Sequence, residues 1–215
     1  MAAPRRIVRH PLSSLGLIAE ILESEDMPAA ERHSAVAQIR SMCAEMARLV
    51  DGVLVASRLE AGMFTVEPRA IRARTVVEPM LAVFRPIAAR RNVTLEFEGS
   101  LDDDIKADPH KLQQALDNLL ANAVKFTPRG GRVRVRVWRE TGRCVFEIAD
   151  SGPGIAKAEQ ETVFDRYKQG ARGRTAGGAG LGLAIARGIA EAHGGTISVE
   201  RGDLGGATFR IALPG

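Results

Sequence analysis

The sequence predicts an α+β chain, with an N-terminal helical hairpin followed by a mixed domain of helices and strands. Three observations predict it. Apolar residues in the first sixty positions recur at steps of three and four, the period of one helix face. Beyond Thr75, helical patterns alternate with short runs of strict apolar–polar alternation, the period of a strand. Between them and the C-terminus, Gly177-Gly-Ala-Gly-Leu-Gly-Leu-Ala-Ile-Ala186 runs a glycine-dense loop into an apolar helix. A helix starting there aims unpaired N–H groups and its positive dipole end at whatever lies in front, a setting that suits phosphate. Alone, such a stretch reads equally as a flexible connector.

The totals narrow the field. An apolar share of 45% with 26% charged residues describes a globular chain, and 4% aromatics require an aliphatic core. The net charge of +4 comes from scattered arginines rather than a dense run interleaved with aromatics, so no nucleic-acid partner is expected. Cys43 and Cys144 stand far apart in unlike contexts, as in a reduced cytoplasmic chain without a disulfide framework. No apolar run approaches the roughly 18 residues of a membrane span, so no membrane contact is expected.

The elements follow in order. From Arg5 to Glu25, Val8, Leu12, Leu15, Ala19 and Leu22 form one stripe. After Asp26-Met27-Pro28 a second runs through Val36, Ile39, Cys43, Met46, Val50 and Val53, with Met42, Leu49 and Ala56 alongside, and ends at Gly62. These stripes are broader than one partner helix can cover. A four-helix bundle made by two chains buries them economically; the alternative is packing of the hairpin onto its own second domain. Residues 1–62 therefore read as a dimerisation hairpin, 63–74 as a linker or edge strand, and 75–215 as the second domain.

In that domain Thr75-Val-Val-Glu78 has the spacing of a capping box, opening a helix to about Arg91 that Pro86 should kink or interrupt. Val93 to Glu98 alternates as a strand. Asp108-Pro109 is a helix start, with Leu112, Leu116, Leu119, Leu120 and Ala123 inward. Asn118 and Asn122 lie one turn apart on that helix, with Lys125 following. They are either surface polarity or amide oxygens that hold Mg²⁺, directly or through water, with Lys125 near phosphates. Val133, Val135 and Val137 alternate with Arg132, Arg134 and Arg136, which read as a solvated face. Cys144 to Ala149 completes a hairpin and runs into Asp150-Ser-Gly152-Pro-Gly154-Ile155. That segment is a plain turn, or a carboxylate that accepts the exocyclic amine of adenine beside glycines that let the base approach. Thr208 is expected to join Asp150 across the sheet as a second polar anchor. Phe164-Asp-Arg166-Tyr167 and the loose run Lys168 to Ala179 suit a lid over phosphates.

Asn118-Leu-Leu-Ala-Asn122-Ala-Val-Lys125-Phe-Thr-Pro, Asp150-Ser-Gly-Pro-Gly-Ile155, Phe164-Asp-Arg-Tyr167 and Gly178-Ala-Gly-Leu-Gly-Leu183 occur in that order. They resemble the N, G1, F and G2 boxes of the bacterial sensor histidine kinases. Asp108-Pro-His-Lys-Leu-Gln-Gln114, His193-Gly-Gly195 and Ser57-Arg-Leu-Glu-Ala-Gly62 resemble that family's flanking positions. The resemblance implies an α/β sandwich of the GHKL type binding ATP and Mg²⁺, and a hairpin that dimerises and carries phosphotransfer. It implies a homodimer, a response-regulator receiver domain as partner, and a cytoplasmic piece of a longer sensor protein. Carried over by position, the nucleotide would meet Asn118, Asn122, Lys125, Asp150, Gly152, Gly154, Ile155, Arg166, Tyr167, Lys168, Gly178, Gly180, Leu181, Gly182 and Thr208, with Asn122 on the metal.

Hydrolytic relatives such as gyrase and MutL use a glutamate at the first N-box position as general base. Here it is Asn118, and Asp117 is rotated by about 100° around the helix. An amide takes no proton at neutral pH, which favours phosphoryl transfer over hydrolysis. In the family the first helix carries a histidine and an acid, with Pro-Leu five and six residues beyond the histidine. Pro11-Leu12 then places Arg6 at the acceptor position, where a guanidinium cannot serve. His10 lies one turn on, on the same face, without an adjacent carboxylate. Two readings follow: a histidine kinase core with His10 as a displaced phosphoacceptor, or a kinase-like ATP-binding interaction module without an acceptor.

Overall fold

The computed structural model describes residues 14, 16–18, 20, 22, 28–100, 102, 104–168 and 180–214. Arg6, His10 and Gly178 lie outside the described residues. Of the first predicted helix, Ser14, Gly16, Leu17, Ile18, Glu20 and Leu22 have helical backbone. The second is α1, Ala29–Glu60. It stops where the sequence places the stop. Gly62 takes φ +65, and the amides of Gly62 and Met63 bond the carbonyls of Leu59 and Arg58. That pair of bonds is a Schellman closure, and its left-handed residue favours glycine.

Beyond α1 the described elements are β1 (Arg69–Arg72), α2 (Arg74–Arg90), β2 (Thr94–Gly99), β3 (Asp104–Ala107), α3 (Pro109–Phe126), β4 (Arg132–Glu140) and β5 (Arg143–Asp150). They continue with α4 (Lys157–Gln160), α5 (Gly182–Ala192), β6 (Thr196–Arg201) and β7 (Ala207–Pro214). β1 supplies the edge strand foreseen in 63–74, pairing antiparallel with β3. The other strands form one sheet in the order β2-β4-β5-β7-β6. Only its β2–β4 pair is parallel, joined by a crossover that contains β3 and α3.

Strand alternation builds two unlike faces. Val133, Val135, Val137, Phe146, Ile148, Phe209 and Ile211 point to the helix layer and meet Met80 of α2, Leu112, Leu116, Leu119 and Leu120 of α3, and Ile189 of α5. Full burial of such side chains contributes about 1.5–3 kcal/mol each, so this α/β sandwich is held by its aliphatic layer. The opposite face corrects the expectation of a solvated arginine row. Glu147 is fully buried there, receiving Arg136 Nη2 at 2.6 Å and Arg210 Nε at 2.8 Å. Arg134 binds Asp203 at 2.8 Å and stands 3.9 Å from Glu147. Long arginine stems lie flat over the sheet and cover the carboxylate they neutralise.

Two further expectations are corrected. Thr75 forms no capping box: α2 starts at Arg74 behind Ala73, with no side-chain cap. Val76 and Val77 are fully buried, and seating them in the core draws the helix start back past Thr75. Pro86 does not interrupt α2, which continues to Arg90. The carbonyl that Pro86 leaves without a partner belongs to exposed Ala82, where water can bond it.

The C-terminal half of α1 lies on α5. A Cβ at Gly52 would stand 3.3 Å from Leu181 Cδ1, and one at Gly188 would stand 2.4 Å from Leu59 Cδ1. Gly188 of α5 thus offers a notch to Leu59 of α1, and Gly52 of α1 one to Leu181, the residue that precedes α5. The end of the second hairpin helix therefore packs on the chain's own second domain. Val36, Val50, Val53 and Leu54 of α1 remain exposed.

Candidate nucleotide site

The site assembles at one end of the sheet, where β5, α3 and α5 converge. Asp108 caps α3 by accepting the amides of His110 and Lys111 at 3.1 Å each, so the helix starts at Pro109 as the sequence requires. Its buried stripe faces the core, which leaves Asn118 and Asn122 half-buried on one flank. α5 arrives there with Gly182, whose missing Cβ would lie 3.5 Å from Asn118 Oδ1. The N-box helix and the glycine-rich helix start are therefore in direct contact. Lys125, a turn beyond Asn122, sits with Nζ 5.3 Å from the Phe126 ring.

Asp150 ends β5 with 4% exposure, on the helix side of the sheet. Its Oδ1 accepts the amides of Gly152 at 2.8 Å and Ala207 at 3.2 Å. Burial pushes its carboxyl above the ordinary value, while those two N–H bonds draw it back. The surrounding backbone is close. A Cβ at Gly206 would lie 2.1 Å from Asp150 Oδ1, and one at Gly152 would lie 3.0 Å from the Phe126 carbonyl that ends α3. Gly154 takes φ +71 against Gly206, and Ile155 packs on the core.

Thr208 requires a correction. It pairs with Ala149, one residue short of Asp150, and strands alternate faces. Arg210, two residues on, bonds Glu147 on the face away from the helices. Thr208 shares that outer face, where its Oγ1 lies 2.0 Å from the Cβ position of Gly202. The β7 residue on the face of Asp150 is Ala207, which binds the carboxylate through its amide. Sequence reasoning chose the polar side chain and missed the register by one.

The residues that flank the expected lid are tied to each other. Tyr167, at φ +61, donates its amide to the Gly180 carbonyl at 3.0 Å. Gly180, at φ +67, lies so close to Lys168 that a Cβ would stand 2.8 Å from its carbonyl. Phe164 is buried edge-on against Phe209, centroids 6.2 Å apart, which anchors the turn holding half-buried Arg166 and exposed Lys168. Leu181 is buried beneath α1. The segment 169–179 between these ends lies outside the described residues.

A glycine-lined carboxylate and a half-buried amide pair beside a glycine-rich helix start fit an ATP-binding catalytic domain of the histidine kinase type. Residues 107–215 match the family described as Histidine kinase-, DNA gyrase B-, and HSP90-like ATPase, and the chain belongs to it. Among curated relatives, the circadian input-output histidine kinase CikA of Synechococcus elongatus is 33% identical over 214 residues. That match covers 96% of this chain and 28% of CikA, so the chain spans little more than a quarter of that relative's length. Full-length ShkA in complex with AMPPNP superposes on 99% of this chain and 46% of its own, with 27% identity and a TM-score of 0.73. The histidine kinase ThkA, crystallised with the response regulator TrrA, covers 96% of this chain and 58% of its own. At 21% identity and a TM-score of 0.72, that likeness is one of fold.

Proposed function

We propose that the chain is the catalytic core of a sensor histidine kinase. It uses ATP with Mg²⁺, phosphorylates a histidine, and passes the phosphoryl group to an aspartate of a response-regulator receiver domain. The observation that carries this reading is Asn118 against Gly182: an amide stands at the phosphate end where a hydrolytic relative has its base. The residues fit both ligands. Asp150 Oδ2, which takes neither backbone bond, accepts the exocyclic amine of adenine, and the missing side chain of Gly206 lets the backbone close on the carboxylate that holds it. Mg²⁺ keeps several waters and takes one or two protein oxygens besides phosphate, which suits Asn122, with Asn118 beside it. The metal supplies charge neutralisation at the phosphates; Lys125 and the α5 N-terminus add positive potential. Gly152, Gly154 and Ile155 line the base, while Arg166, Tyr167, Lys168, Gly178, Gly180 and Leu181 form the lid and its hinges.

Homodimerisation would cover the exposed Val36, Val50, Val53 and Leu54 of α1, and the reading places the segment in the cytoplasm of a longer sensor. No helix among the described residues is long and apolar enough to cross a membrane. ThkA's crystallisation with TrrA supports the regulator as partner at the level of fold. Arg6 favours a second reading, a kinase-like module that binds ATP and partners without accepting phosphate. Incubation with γ-labelled ATP separates them. Acid-labile, base-stable label that vanishes in His10→Ala establishes the displaced acceptor. Bound but untransferred ATP establishes the second reading, and no ATP binding overturns both.

A further inference from the structure

The N-cap of α3 does more than cap. Asp108 Oδ1 accepts the two amides of its own helix, whereas Oδ2 accepts the amide of Glu67 at 3.2 Å, from the segment that leaves α1. Three residues upstream, the Phe64 ring packs on the core with Lys111 Nζ 5.4 Å from its centroid. Lys111 is on the first turn of α3, so two contacts tie 64–67 to that turn. The Asp108 backbone joins a third element. Its amide donates to His193 Nε2 at 2.9 Å, and His193 Nδ1 lies 2.8 Å from the Ile189 carbonyl at the end of α5. An Nε2 that accepts leaves the proton on Nδ1, which donates to Ile189, so the buried ring holds one tautomer. Burial raises the Asp108 carboxyl, but the amides of Lys111, Glu67 and His110 leave it below the ordinary value.

We infer that Asp108 is a positioning residue that couples the segment leaving α1 to both helices of the nucleotide site. One residue joins residues 64–67, the helix of Asn118 and Asn122, and the helix that opens at Gly182. A displacement of α1 at its exit reaches the amide pair through this junction, and ligand at the amide pair holds the exit segment in return. The coupling is reciprocal, as linkage requires. It rests on the nucleotide reading for its second half only.

Asp108→Asn separates the junction from the cap. Asparagine caps helices as well as aspartate does, and its Oδ1 still accepts His110 and Lys111. Its amide nitrogen cannot accept the Glu67 N–H. The experiment follows hydrogen exchange of residues 64–67 in the full chain, with and without AMPPNP, beside a direct titration of that analogue. In the native chain the analogue slows exchange there several-fold. In Asp108→Asn exchange without analogue is about tenfold faster, since a bond to a charged acceptor is lost, and the analogue no longer slows it although it still binds, several-fold more weakly because the coupling is lost. Glu67→Pro, which deletes the donor and keeps the carboxylate, reproduces the weakened analogue binding of Asp108→Asn. Unchanged exchange in Asp108→Asn would reduce Asp108 to a plain cap and overturn the inference. So would the same analogue-induced slowing in both chains, or native analogue affinity in Glu67→Pro. Failure of the native chain to bind the analogue would sink the nucleotide reading instead, and exchange without analogue then decides the junction.

Discussion

Strand β5 carries two buried carboxylates three residues apart on opposite faces, and they are held in opposite ways. Glu147 is enclosed by Arg136 and Arg210 with Arg134 nearby, so its charge is spent inside the protein. Asp150 is held by two backbone amides on one oxygen and, among the described residues, has no arginine among its bonds. A carboxylate matched by counter-charges is part of the scaffold. One desolvated and fixed only by N–H groups keeps an acceptor in reserve for a ligand.

Substitution should pull the two apart. Glu147→Ala strips Arg136 of its counter-charge and leaves Arg210 with Glu200 alone, and should cost about 3 kcal/mol of stability, read by urea denaturation, with analogue affinity unchanged once folded. Asp150→Asn should do the reverse. Its Oδ1 still serves Gly152 and Ala207, but its NH₂ opposes the adenine amine, so AMPPNP binding should weaken by about 10- to 100-fold at native stability. Equal losses of stability in the two variants would erase the distinction.

The pH dependence gives a finer test. The Asp150 carboxyl is raised by burial, so acid neutralises it above the range of an ordinary carboxylate. Analogue affinity in the native chain should therefore decline on acidification toward that range, while Asp150→Asn stays flat. The smallest effect belongs to Asp117, a third carboxylate whose Oδ1 is buried without a hydrogen-bond partner. Desolvation raises it from 3.8 to about 6. The folded state then binds its proton more tightly than the unfolded state, and stability falls as pH rises through the window from 3.8 to about 6. Asp117→Asn should remove that slope and add on the order of 1 kcal/mol at pH 7, discounted for solvent screening. Melting temperatures at pH 5 and pH 7.5 check it.

Much of the fold was legible because its signals are local. Asp108-Pro109, the leucine stripe of α3 and the valine alternation of β4 each state their own conformation within a few residues. The boxes placed Asn118 and Gly182 on two helices that meet at those residues. What escaped depends on partners distant in sequence. The register that sends Thr208 outward and brings Ala207 to Asp150 is set by pairing with β5. The arginines of β4 read as solvated because Glu147 and Arg210 belong to other strands. Thr75 matched a capping box, but tertiary burial of Val76 and Val77 moved the helix start. His193 stood out in the sequence without a role, since its partner Asp108 lies 85 residues away.

The parallel β2–β4 pair carries a consequence for how the molecule comes into being. Parallel neighbours need a long return path, and here that path is α3 itself. The chain cannot join β2 to β4 without laying down the helix that bears Asn118 and Asn122. Maturation of the sheet and competence for nucleotide are then one kinetic event, late because it closes a long loop. Refolding followed by circular dichroism and by a fluorescent nucleotide should show a single shared rate.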